Sequence, residues 1–95
     1  MSSQEKLLFL TKEELKSSIT NKIRGVITVW EDPTAHIYFY FDGEITEQDR
    51  EDASDVCTYI IAHFPNGLLE ENYIRMDYPE PLPESPYWAY KKIES

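Results

Sequence analysis

The chain is poor in cysteine, glycine and basic residues, and each scarcity narrows what it can be. Cys57 is the only cysteine in 95 residues, so no disulfide can form within the chain. Small secreted domains that fold by cross-linking need cysteine pairs, and a reducing compartment is the better expectation. Three glycines are too few, and too scattered, for a phosphate-cradling loop or a dinucleotide fingerprint. Long apolar runs are missing as well. Leu7 to Leu10 is a run of four that stops at Thr11. That is too short for a signal peptide, and Lys12, Glu13 and Glu14 stand where a cleavage site would be needed. Nothing approaches the roughly 18 residues of a membrane span. The expectation is a cytoplasmic protein of one domain, residues 1–95.

Basic residues are outnumbered two to one, with nine Lys plus Arg against 18 Asp plus Glu and a net charge of −9. The excess is local. Residues 1–24 hold five basic and three acidic groups, residues 25–64 nine acids and one arginine, and residues 65–95 six acids and three bases. The middle block is the charged feature. A field of this sign repels phosphate backbones and anionic lipid, so neither nucleic acid nor a membrane surface is an expected partner. It attracts a basic protein surface or a hard cation, and it also serves solubility alone.

What the chain does have is aromatic residues (14 %) and clear periodicity. Thr11 followed by Glu14 reads as a capping box, and Leu15, Ile19 and Ile23 recur every four residues, so the spacing predicts a helix over 12–22. Leu7 to Leu10 reads equally as a short strand or an amphipathic lead-in. Arg24 to Trp30 and His36 to Phe41 are β-branched and aromatic runs around the turn residues Asp32 and Pro33, an antiparallel hairpin. Ile37, Phe39 and Phe41 alternate with His36, Tyr38 and Tyr40, and the first set should face the core. Tyr38 and Tyr40 are then expected to be partly exposed.

A second helix is predicted over 47–64, capped by Thr46 with Asp49 three residues on. Ala53, Val56, Cys57, Ile60, Ile61 and Phe64 form its apolar stripe, and Glu47, Glu51, Asp52 and Asp55 line the opposite side. Asn72 to Tyr78 alternates as a strand, with Tyr73 and Arg75 on one side and Ile74 and Met76 on the other. Four prolines between 79 and 86 then favour a stiff extended connection. Tyr87 to Ile93 reads as a last strand, with Trp88 and Tyr90 on one side. The expected fold class is α+β, a small antiparallel sheet of about four strands with helices packed on it, in the order α-β-β-α-β-β.

No catalytic, cofactor-binding or metal site emerges from the residue pattern. Cys57 sits in the middle of an apolar stripe, where a free thiol behaves as a small buried hydrophobe. No sequence pattern holds His36 or His63 near Cys57; His63 falls in a last helical turn, where an imidazole near backbone carbonyls is ordinary, and His36 opens a strand beside a turn. One cysteine and two distant histidines exclude a soft-metal set. Asp42, Glu44, Glu47, Asp49, Glu51, Asp52 and Asp55 supply oxygen ligands, but their spacing does not match a twelve-residue calcium loop. There is no Ser-centred elbow and no zinc-protease pair.

The better signal is a binding surface. Carboxylates at Glu44, Glu47, Glu51, Asp52 and Asp55, with the rings of Tyr38, Tyr40, Tyr73, Trp88 and Tyr90, have the composition of an interface with a charged rim. The functional expectation is a non-enzymatic acidic module that engages or inhibits a basic partner protein. Small acidic immunity proteins of bacterial toxin systems share this size and charge, and the resemblance extends to size and charge only. The alternatives are a homo-oligomer closed through the sheet face and, further off, a small-ligand carrier or enzyme needing a real pocket.

Overall fold

A computed structural model describes residues 2–94. Its elements are α1 (Ser3–Leu15), β1 (Ile23–Glu31), β2 (Thr34–Phe41), α2 (Glu47–Ile61), β3 (Leu68–Arg75) and β4 (Trp88–Lys91). The class is α+β and the order is α-β-β-α-β-β, as the periodicities predict.

The first helix lies earlier than the Thr11 signal places it. Ser2 and Glu5 form an equivalent capping box: the Glu5 N–H donates to Ser2 Oγ at 3.1 Å and the Ser2 N–H donates to Glu5 Oε1 at 3.2 Å. Starting there puts Leu7, Thr11 and Leu15 on one buried face, four residues apart. Thr11 is therefore no cap. It is fully buried inside the helix, and its hydroxyl donates to the Leu7 carbonyl at 2.7 Å. Ile19 follows the helix and Ile23 opens β1, so the predicted Leu15–Ile19–Ile23 stripe is divided among three segments. Leu7 to Leu10 is helical.

The four strands form one sheet in the order β3-β2-β1-β4. β1 and β2 pair as the expected antiparallel hairpin, with Val26 opposite Phe39 and Thr28 opposite Ile37. β4 is antiparallel to β1. β3, however, runs parallel to β2 in register from Thr34↔Leu68 to Phe41↔Arg75, so the sheet is mixed. The cause is α2. Its 15 residues return the chain over about 22 Å, nearly the length of β2, which is the crossover that a parallel pair requires. The parallel register also moves the third strand forward of the predicted 72–78. Its ladder opens where the Leu68 N–H donates to the Pro33 carbonyl at 2.8 Å.

Both helices pack on the same sheet face. Ala35, Ile37, Phe39 and Phe41 of β2 and Val26 of β1 meet Leu7 and Leu15 of α1 and Ala53, Val56, Cys57 and Ile60 of α2, all of them buried. Phe64, just past α2, stacks on Trp30 with ring centroids 4.9 Å apart. At the end of β2 the chain turns at Gly43, whose φ of 86° lies in the left-handed region that a side chain would resist. No helix among the described residues is long and apolar enough to cross a membrane.

Candidate protein-binding surface

α2 begins as the sequence indicates. Thr46 Oγ1 accepts the Asp49 N–H at 3.1 Å, and Asp49 Oδ2 accepts the Thr46 N–H at 2.9 Å. Asp49 also takes the Lys22 ammonium at 2.5 Å. Burial pushes its carboxyl up, but Lys22 and the Thr46 bonds outweigh this and hold it below the usual carboxylate range. Asp49 is thus committed to the fold.

The other acids are not. Glu44, Glu47, Glu51, Asp52 and Asp55 are all exposed, and among the described residues none forms a salt bridge. Asp52 accepts only a neutral bond, from Gln48 Nε2 at 2.8 Å. Glu47, Glu51 and Asp55 follow one another at one-turn spacing. Arg50 is the one cation of the helix, and it is turned the other way, with its guanidinium 5.1 Å from the Tyr73 ring centroid. The outer side of α2 therefore presents Glu47, Glu51, Asp52 and Asp55 without an ion pair among the described residues, and Lys22, on the Glu44 carbonyl at 2.5 Å, lies at its start.

That side continues into a groove of ≈ 360 Å³ between α2 and the turn after α1. Glu14, Asp52 and Asp55 contribute carboxylates to its wall, and Ile19, Val56 and Tyr59 contribute apolar surface. Tyr59 is 64 % exposed. In the sequence Glu14 stands out only as a capping residue, and Tyr59 does not stand out at all. The signal that could have found Tyr59 is its place beyond the apolar stripe, on the same side as Asp52 and Asp55.

The rings do not join this surface. Tyr38 and Tyr40 alternate with Ile37, Phe39 and Phe41 and so project from the sheet face that the helices leave uncovered. Tyr38 is half-buried there, but Tyr40 is buried, tilted against Trp88 with centroids 5.8 Å apart. The expected exposure of Tyr40 is corrected by that contact. Trp88 lies across Gly25, where an added Cβ would come 2.4 Å from its Cζ3, and the Lys91 ammonium sits 5.4 Å from its ring centroid. Tyr73 is on the helix-covered side. It stacks on Phe39 at 5.9 Å, and its hydroxyl donates to the Glu71 carboxylate; burial first, then that bond, raises its phenol. Acids on α2 and rings at Tyr38, Tyr40 and Trp88 are thus separated by the thickness of the sheet.

Two further polar groupings escaped the sequence. Arg24, at 2 % exposure, holds Glu94 through Nε at 2.6 Å and Nη2 at 2.9 Å and donates from Nη1 to the Met76 carbonyl at 2.6 Å. His36 has Nε2 3.0 Å from Glu31 and Nδ1 3.3 Å from Glu70, the second contact close enough for charge but not oriented as a hydrogen bond. Cys57 is fully buried, and burial followed by the charge of Glu71 raises its thiol well above the ordinary value. Among the described residues, no three of His, Cys, Asp and Glu gather as a metal-ion site.

A family model described as MafI2 immunity protein matches residues 4–94. No curated protein matches the chain.

Proposed function

The chain belongs to the MafI2 immunity protein family, and we propose that it neutralises a partner toxin by binding, not catalysis, through the acidic outer side of α2. The observation that carries this reading is the row of exposed carboxylates at Glu44, Glu47, Glu51, Asp52 and Asp55, none of which is ion-paired among the described residues. Such a row serves solubility, and it also favours a surface of opposite sign. A basic toxin surface would be steered to it over about a Debye length, and complementarity would set both on-rate and register. The groove supplies depth. A lysine or arginine of the toxin would lay its stem on Ile19 and Val56, reach Glu14, Asp52 and Asp55, and meet the face of Tyr59.

Toxins that act on nucleic acid are built to attract phosphate, and a carboxylate row competes for the same surface. A homodimer closed through the uncovered sheet face is the competing reading. It has less to draw on, because Tyr40 and Trp88 already pack on each other and on Gly25.

The test is the affinity for the toxin of the chain with Glu47→Gln, Glu51→Gln and Asp55→Asn, measured across salt concentrations. We expect affinity to fall about tenfold or more at low salt and the salt dependence to flatten. Unchanged affinity with the same salt slope would sink the acidic-face reading.

A further inference from the structure

The two edges of the sheet are treated very differently. The β4 edge is closed. β4 has only four residues, ends on Lys91 and is followed by Lys92, and short lysine-bearing edges discourage further pairing. Where β4 stops, the exposed backbone of β1 is occupied by other groups. The Thr28 N–H donates to the Tyr87 carbonyl at 3.2 Å, Gln4 Nε2 donates to the Thr28 carbonyl at 3.0 Å, and the Trp30 N–H donates to Gln4 Oε1 at 2.7 Å. A side-chain amide from α1 thus stands in for a neighbouring strand.

β3 has no such cover. It runs for eight residues without proline, lysine or a register irregularity along its pairing with β2. The direction of its amides follows from the ladder. The Leu68 N–H points inward to Pro33 and the Met76 N–H inward to Phe41, so the even-numbered residues between them bond to β2. The N–H and C=O groups of Leu69, Glu71, Tyr73 and Arg75 therefore point away from the sheet. Among the described residues no strand lies beyond β3 and no backbone bond reaches these groups.

We propose that the outer edge of β3 is a docking site for an extended lysine- or arginine-bearing segment of the partner toxin, which adds to the sheet as another strand. This rests on the reading of the chain as a toxin-binding immunity protein. The choice of occupant comes from charge. The middle of β3 carries Glu70 on the uncovered face, beside His36, and Glu71 on the helix-covered face, where it accepts from Tyr73 and Ser54, so a strand whose alternating lysines or arginines take the uncovered side would meet Glu70. A second copy would bring four carboxylates together at the centre of any full-length antiparallel pairing, on two chains of −9 each. Backbone bonds then give affinity, and the flanking charges give selection.

The test uses the full chain, isotopically labelled for amide exchange, and two capped peptides of the length of β3. One alternates lysine with valine and threonine; the other carries glutamate in place of lysine. At ten times its Kd, the lysine peptide should slow exchange at Leu69, Glu71, Tyr73 and Arg75 about tenfold, with the glutamate peptide weaker or inactive. Amides at 70, 72 and 74, already bonded inward, should change little. The same pattern is expected in the chain with Glu47→Gln, Glu51→Gln and Asp55→Asn, so failure of the α2 reading and failure of this one are told apart. Lysine-peptide effects confined to α2, no effect at the four outward amides, or equal binding of both peptides would each overturn the proposal. So would protection that rises with protein concentration in the absence of peptide, which would assign the edge to a second copy.

Discussion

Arg24 carries a full charge at 2 % exposure, and its contacts reach residues far from it in sequence: Glu94 and the Met76 carbonyl. Replacing it with methionine keeps the length of the stem but leaves Glu94 and that carbonyl unpaired. Because Glu94 retains partial access to water, the expected cost is about 2–4 kcal/mol, at or below the range for breaking a fully buried pair. A lower urea midpoint at unchanged slope would register it. Asp49 offers a test with a sign. Its carboxyl is held below the ordinary range once folded, so its contribution is complete above about pH 4 and is lost as the pH falls through the folded value. The stability gap between the wild type and Asp49→Asn should therefore be full at pH 7 and shrink in acid. A gap that widens in acid would contradict the Lys22–Asp49 assignment.

At the scale of elements, the two helix starts make paired predictions. Ser2→Ala and Thr46→Ala each remove a cap and should each cost about 0.5–2 kcal/mol. Thr11→Ser would lose a buried methyl group yet leave the helix start untouched, so helix content by circular dichroism should hold. Gly25→Ala tests the seam between β1 and β4. The new methyl group would press on Trp88 at 2.4 Å, and backing the ring away would loosen its contact with Tyr40. We expect a loss of about 1–3 kcal/mol and a shift in tryptophan fluorescence.

These elements also show how far local pattern reaches. The hairpin and α2 were legible because alternation, a turn and a cap all agreed within a few residues. α1 was misplaced because Ser2–Glu5 and Thr11–Glu14 carry the same capping signal. Only the burial of Leu7 and Thr11 against the sheet chooses between them. The direction of β3 depends on where α2 delivers the chain, which no window of residues contains. Of the candidate surface, the acids were legible as a block of charge. That Tyr73 shares the helix-covered side while Tyr38 and Tyr40 take the other could not be read before the covered face was known. The Arg24–Glu94 pair spans 70 positions and left no local trace.

For the whole molecule, a net charge of −9 acts on stability and on binding with opposite signs. Salt screens the mutual repulsion of the exposed acids, so the isolated chain should melt at a higher temperature as salt rises. The same screening weakens attraction for a basic toxin, so affinity should fall over that range. If both quantities moved together, the surface charges would not be the link between them.

The burial of Cys57 gives the molecule an internal clock. A thiol that is both enclosed and reluctant to ionise reacts with alkylating reagents only when the core opens. Because no second thiol competes, the rate of its modification reports the opening of this fold, without any label being introduced. A toxin that clasps the folded form should slow that clock in proportion to the fraction of chains it holds. Occupancy could then be read from inside the protein, on the buried side of the helix whose outer side carries the proposed contact.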